Sequence, residues 1–298
     1  MAFVSRRQLL YLGAAVSAEL VNALRPRRAD AMPRNLPLGI QLYTVADALK
    51  RDVTETLKQL RSIGYRNVET AGFQGLTAIQ FRHEIDAAGL QCHSAHLGFN
   101  TSDPDPLFED AHALGAHYVV SSAMLSQRAA SASGPTADDY KQMAQRLNEL
   151  GRKAKQADLN YAYHNHNVEF RELDGGGIGY DVLLTSTDPD LVAFELDCGW
   201  MVSAGFNPVE YFRKHPHRFR MLHIKDFVKG SKVSTSLTKD RPQGTELGRG
   251  HIDYKPILMA ADQAGIHDCY VEQEPPFLDM TSLDAAKVDY DYLHAVTG

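Results

Sequence analysis

Eight short runs of β-branched, aromatic or apolar residues recur along the chain, each followed by a segment with helical apolar spacing, and this alternation constrains the fold more than any other feature. The runs are Leu38–Tyr43, Asn67–Thr70, Gln91–Ala95, Tyr118–Ser121, Leu159–His164, Val192–Leu196, Arg220–Ile224 and Cys269–Gln273. Between the first two, Val53, Leu57, Leu60 and Ile63 fall on one helical face. Several helical segments end in a glycine that leads straight into a strand, at Gly64, Gly89, Gly115 and Gly265, as left-handed caps of αβ turns do. Eight parallel strands with right-handed crossovers in about 250 residues close most economically into a single-domain α/β structure, the (β/α)8 TIM barrel. An open doubly wound sheet is the alternative, but no glycine-rich phosphate turn follows the first strand, and Gly175-Gly176-Gly177 reads as a flexible turn. The stretch from Val228 to Gly250 is too long for a plain βα loop and reads as a lid.

The N-terminus stands apart from this pattern. Ser5-Arg6-Arg7-Gln8-Leu9-Leu10 places two arginines before an apolar stretch that reaches Leu24, and Ala29-Asp30-Ala31 supplies small residues for cleavage near Ala31. This resembles a twin-arginine export signal, so residues 1–31 are expected to be a signal segment, residues 32–298 the barrel domain, and the location periplasmic or otherwise exported. Glu19 interrupts the apolar stretch, which argues against a stable membrane anchor. The 298-residue chain carries a net charge of −6, which becomes −9 without the five arginines and two acids of residues 1–31. An acidic protein with one Trp and no basic tract is a poor partner for nucleic acid or an anionic membrane. The implied partners are a small-molecule sugar substrate and the export machinery. Cys92, Cys198 and Cys269 each lie in an apolar run and read as small buried residues.

In a barrel, functional groups project from the carboxyl ends of the strands. Those ends carry Glu69 on the second strand, His93 and His96 on the third, and His164-Asn165-His166 on the fifth. Asp197 follows on the sixth, His223 and Lys225-Asp226 on the seventh, and Glu272 and Glu274 on the eighth. Imidazoles and carboxylates converging on one rim suit a divalent ion, Mn²⁺ first, with Zn²⁺, Co²⁺, Fe²⁺ or Mg²⁺ as alternatives. Burying two or more carboxylates side by side would cost several kcal/mol unless a cation neutralised them.

Leu38-Gly39-Ile40-Gln41-Leu42-Tyr43-Thr44, Gly64-Tyr65-Arg66-Asn67-Val68-Glu69, Ala162-Tyr163-His164-Asn165-His166, Phe194-Glu195-Leu196-Asp197-Cys198-Gly199-Trp200, Leu222-His223-Ile224-Lys225-Asp226 and Tyr270-Val271-Glu272-Gln273 together resemble the sugar phosphate isomerase/epimerase family with a xylose-isomerase-like TIM barrel. The resemblance implies that Asp197, His223 and Glu272 are metal ligands. Many members place a glutamate at the end of strand five, where this chain has His164, so the fourth ligand is His164 or His166, with the other facing substrate. Ketose epimerases of the family work with two metal-bound glutamates as paired bases, and only Glu272 has a counterpart here.

What remains is a Lewis acid that acidifies the carbon next to a ketone, and one base to take the proton. Candidate bases are Glu272, Glu169 and the unligated histidine, with His96 and Lys225 placed to stabilise an oxyanion or protonate a leaving group. Lys225 is otherwise a structural partner of Asp226. Gln41, Tyr43, Glu69 and Trp200 are expected to shape a sugar pocket, with a hydrogen-bond acceptor standing behind a ligand the alternative for Glu69 and core packing the alternative for Tyr43 and Trp200. The expected activity is a metal-dependent isomerase or epimerase reaction on a non-phosphorylated sugar or keto-sugar. The alternatives are a 3-keto-glycoside lyase or hydrolase acting by β-elimination, and an inactive periplasmic sugar-binding barrel.

Overall fold

Strand pairing closes on itself. The computed structural model describes residues 38–122, 134–277 and 279–297, and the expected signal segment lies outside them. The barrel strands are β1 (Leu38–Gln41), β2 (Asn67–Ala71), β3 (Gln91–His96), β4 (Tyr118–Ser122), β5 (Asn160–His164), β6 (Val192–Asp197), β7 (Phe219–Ile224) and β8 (Asp268–Val271). Each pairs in parallel with the next, and β8 pairs with β1 through Leu38–Cys269, Gly39–Tyr270 and Ile40–Val271. This is the expected (β/α)8 barrel. No described helix is long and apolar enough to cross a membrane.

Local chemistry explains where the elements begin and end. The helix Val53–Ile63 starts because the Asp52 side chain accepts the Glu55 N–H at 2.9 Å, buries Leu57 and Leu60, and stops at Gly64 with φ 132°. The helix Ala137–Gln156 opens with a reciprocal capping pair between Thr136 and Asp139. β1 is shorter than expected: the Gln41 side chain accepts the Tyr43 N–H at 2.8 Å and turns Leu42–Val45 into a 3₁₀ helix. Inside the barrel Val120, Ala162, Met221 and Tyr270 pack together. Cys92, Cys198 and Cys269 are buried and free. Two register shifts break the otherwise even ladder, one beside Glu69 where β2 meets β3 and one beside Glu195 where β6 meets β7. Such irregularities re-aim neighbouring side chains.

The stretch expected to be a lid is a pinned wall. Asp226–Phe227 pairs antiparallel with Gly244–Thr245, and the Asp226 carboxylate accepts five backbone N–H groups at the root of the excursion. Its Oδ1 takes those of Phe227 (2.8 Å), His251 (3.0 Å) and Ile252 (3.1 Å), and Oδ2 takes those of Gly248 (3.2 Å) and Gly250 (3.1 Å). A Cβ at Gly250 would stand 2.1 Å from Asp226 Oδ1, so only glycine fits. Farther out, Asn167 Nδ2 donates to the carbonyls of Ser234 (2.9 Å) and Ser236 (3.1 Å).

One buried acid outside the site sets a pH limit on stability. Asp289, in the helix Ser282–Thr297, accepts the Leu247 N–H at 2.7 Å through Oδ1, while Oδ2 has no hydrogen-bond partner among the described residues. Burial, and then Glu246 and Asp226, lift its pKa from 3.8 to about 8. A folded-state value above the unfolded one stabilises the fold at low pH, and the benefit is lost as pH rises from about 4 through about 8. Asp289→Asn therefore melts higher than wild type at pH 9, by a few degrees for roughly 2 kcal/mol, and close to it at pH 5. Thermal melts at the two pH values check this.

Candidate metal centre

His164, Asp197, His223 and Glu272 meet at the carboxyl end of the barrel, where one ligand atom from each lies within 4.8 Å of all the others. Three sit at the ends of β5, β6 and β7, and Glu272 follows β8 directly. His223 and Asp197 are fully buried, and His164 and Glu272 nearly so. His164 Nε2 is 3.8 Å from Asp197 Oδ2, and His223 Nδ1 is 3.2 Å from Glu272 Oε2.

The junction of β6 with the helix Cys198–Ser203 fixes Asp197. Its Oδ1 caps that helix by accepting the Trp200 N–H at 2.7 Å, and its own N–H is held by Asn165 Oδ1 at 3.1 Å. Oδ2 is left for the centre: it lies 3.0 Å from Lys225 Nζ but has no hydrogen-bond partner among the described residues. A buried carboxylate oxygen without a partner, beside two imidazoles and a second carboxylate, is a donor set that fits a divalent ion.

Lys225 organises the mouth from one side. Its ammonium approaches Glu272 (2.6 Å), Glu274 (2.9 Å) and Asp197 (3.0 Å). Asp226 is not its partner, contrary to the sequence-based alternative, because that carboxylate is saturated by backbone N–H groups. Burial works against the ammonium, yet Asp197, Glu272 and Glu274 outweigh it and hold Lys225 well above the ordinary lysine range. In return, Lys225 and then His223 overcome burial and hold Glu272 well below the usual carboxylate range. Asp197 is pushed up to about 6, because burial dominates over Lys225. His164 is held well below the usual imidazole range by burial and by His223 and His166.

A cavity of about 280 Å³ opens above Glu272, lined by Gln41, Tyr43, His96, Ser122, His166 and Glu274. His166 stands outside the four-residue group and faces this cavity. Burial and then Lys225 lower its pKa to about 4, and its Nδ1 has no hydrogen-bond partner among the described residues. His96 Nε2 bonds Ser122 Oγ at 3.0 Å. Tyr43 is 47% exposed on the rim. Trp200 is buried beneath the mouth and faces a neighbouring cavity of about 220 Å³ that Arg241, Phe227 and Glu274 also line.

The contacts of two acids bear on their expected roles. Glu169, expected as a base, turns away from the cavity: the 3₁₀ helix Val168–Phe170 aims it at the Tyr163 hydroxyl (2.6 Å) and the His166 N–H (2.9 Å), so it anchors His166 from behind. Glu69, expected either to touch sugar or to stand behind a ligand as a hydrogen-bond acceptor, lies one layer deeper, is fully buried and takes the second position. It accepts hydrogen bonds from Gln41 Nε2 (2.8 Å) and Ser94 Oγ and lies 3.0 Å from His223 Nε2. Gln41 thus spends its amide group on Glu69, although it still borders the cavity.

Sequence reasoning gave no role to Glu195, Asn165 or Arg241. Glu195 precedes Asp197 by two residues on β6, which puts both on one face of the strand, and that spacing was a usable signal. Arg241 reaches the mouth only through the pinned excursion, where it pairs with Glu274, and nothing local announces it.

A barrel closed by eight strands, with histidine and acidic side chains gathered at its carboxyl end, defines the class, and the chain belongs to the xylose isomerase-like TIM barrel family, whose model matches residues 57–287. Among curated proteins it is similar to inosose dehydratase of Lacticaseibacillus casei, 26% identical over 264 residues that cover 76% of this chain and 85% of the relative. It is also similar to inosose dehydratase of Clostridium tetani, 32% identical over 134 residues covering 41% of this chain and 43% of the relative. Among solved structures, a sugar phosphate isomerase/epimerase from Parabacteroides distasonis superposes with a TM-score of 0.73 at 26% identity, covering 88% of this chain and 99% of that one.

Proposed function

We propose that the protein is a divalent-metal-dependent enzyme that moves a proton next to the carbonyl of a non-phosphorylated sugar or keto-sugar. The observation that carries this reading is the convergence of His164, Asp197, His223 and Glu272 beneath a cavity that His96, His166 and Glu274 also line. An ion held by those four side chains supplies Lewis acidity toward a substrate carbonyl. The chain's own groups then divide the remaining work. His166 is neutral near pH 7 and takes the carbon-bound proton, with the Glu169 carboxylate fixing its backbone. The electron pair moves onto the ketone oxygen, and the buried Lys225 ammonium stabilises that charge from the side. Return of the proton to the former carbonyl carbon, with the hydroxyl proton of the adjacent carbon passing to the old ketone oxygen so that the carbonyl re-forms there, completes an isomerisation.

Lys225 favours a second outcome, elimination. A protonated amine beside the site can give a proton to a departing β-hydroxyl, so that the electron pair re-forms the ketone, a carbon–carbon double bond appears and water leaves. The single carboxylate corresponding to a family base supports the same direction, as does the similarity to two dehydratases. Both cations at the mouth, Lys225 and Arg241, are paired with carboxylates, which supports an uncharged substrate over a phosphorylated one. The Arg6-Arg7 stretch supports action after export.

The test is proton exchange. Keto-sugars and 3-keto-glycosides incubated with enzyme and Mn²⁺ in D₂O are expected to lose one carbon-bound proton signal in NMR, and product structure separates isomerisation from elimination. If no carbon-bound proton exchanges at metal saturation across neutral keto-sugars, both readings are wrong.

A further inference from the structure

We infer that Glu195 is a positioning residue for both imidazole ligands, one carboxylate behind two rings that fixes which nitrogen of each faces the ion. The inference rests on the metal centre proposed above. His164 and His223 sit side by side, ring centroids 4.4 Å apart. Each ring has one nitrogen toward a carboxylate of the centre: His164 Nε2 toward Asp197 (3.8 Å) and His223 Nδ1 toward Glu272 (3.2 Å). Each has its other nitrogen toward the same oxygen of Glu195: His164 Nδ1 at 3.4 Å and His223 Nε2 at 3.2 Å from Oε2.

An imidazole that binds a metal through one nitrogen carries its proton on the other, and a carboxylate behind it fixes the tautomer and the ring plane. Glu195 faces the far nitrogens of both rings, whereas Glu69 reaches only that of His223, at 3.0 Å. It is fully buried, and neither of its oxygens has an aligned hydrogen-bond partner among the described residues. A buried acid without partners destabilises a fold by a kcal/mol or more, so it calls for a compensating role, and the two imidazole N–H groups are within reach to supply one. The register shift between β6 and β7 falls at this residue.

The same neighbourhood invites a different reading, because Glu69, His96 and Glu195 offer ligand atoms within 4.8 Å of one another. A second ion there would have to displace His223 Nε2, which already lies between the two acids, 3.0 Å from Glu69 Oε1 and 3.2 Å from Glu195 Oε2. Glu69 is also occupied by Gln41 and Ser94. One ion with two braced rings is the simpler arrangement.

The experiment is metal binding by the full chain, with Mn²⁺ affinity measured against a competing chelator and ligand geometry read from the Co²⁺ absorption bands. Wild type is expected to bind one ion. Glu195→Ala binds it about 10- to 100-fold more weakly and alters the Co²⁺ bands. Glu195→Gln recovers part of the affinity, because its amide oxygen still accepts one ring N–H. Asp289→Asn, at a buried acid outside the group of four, leaves affinity unchanged. Equal affinity in wild type and Glu195→Ala overturns the inference while leaving the metal centre standing, and so does an equal loss in Asp289→Asn. Two ions in wild type and one in Glu195→Ala would make Glu195 a ligand, which also overturns it. A wild-type chain that binds no divalent ion removes the metal centre itself.

Discussion

Asp197→Ala purifies without a stoichiometric divalent ion, and its kcat/KM on any sugar that wild type turns over falls by roughly 10³-fold or more. The reasoning is geometric. Asp197 has one oxygen committed to the Trp200 N–H and one at the centre that lies 3.0 Å from Lys225 Nζ but has no hydrogen-bond partner among the described residues. Alanine removes both functions, and the lost helix cap destabilises by about 1 kcal/mol. Asp197→Asn separates them, since its amide oxygen still caps Trp200 while the charge facing the ion is gone. Metal analysis after purification from Mn²⁺-supplemented cells, alongside a thermal melt, reads the two effects independently. A full complement of ion in Asp197→Asn would show that this carboxylate is not a ligand.

Lys225→Met has the larger effect on the fold. The ammonium is 3% exposed and approaches three carboxylates. Removing it takes away the one ammonium that Asp197, Glu272 and Glu274 share, although Arg241 still pairs with Glu274. Stripping one partner from a buried charge cluster destabilises by about 3–5 kcal/mol, roughly 10 °C in melting temperature for a chain of this size. The deficit depends on pH with a definite sign. Without the lysine the acids are harder to ionise when folded than unfolded, so stability falls as pH rises. Lys225→Met therefore melts closest to wild type near pH 5 and furthest below it near pH 8. A bound divalent ion narrows the gap by supplying the missing positive charge. Melts of chelated and Mn²⁺-loaded protein at both pH values measure this, and a deficit independent of pH and metal would mean that packing of the aliphatic stem matters more than its charge.

The barrel was legible because its signals are short-range and repeated: each strand run and each glycine that ends a helix reports on its own neighbourhood. The acids and imidazoles that converge at the mouth were legible for a related reason, although the choice between His164 and His166 was not. Once strands are assigned, their carboxyl ends are fixed, and His164, Asp197, His223 and Glu272 are polar residues where a packed interior would not want them. The depth of a side chain was harder to see. Glu69 and Tyr43 both stand near strand ends, yet one is sealed beneath the centre and the other lies on the rim, because one residue of register decides the layer. Glu169 looked like a base from its distance in sequence, but a three-residue 3₁₀ turn rotated it behind His166. Arg241 could not be placed at all, since its position depends on how a 23-residue excursion folds back, and only the tertiary hydrogen bonds of Asp226 determine that.

Those bonds have a consequence for how this scaffold can diversify. With five amides fastened to one carboxylate, the excursion behaves like a handle riveted at its base, and its remaining ties run from Ser234 and Ser236 to Asn167 and from Arg241 to Glu274. Pro242 and Gln243, which face the smaller chamber, are freer to change than Arg241, whose partner Glu274 also holds Lys225. A library confined to the positions of that handle outside those ties is the natural route to retargeting the protein.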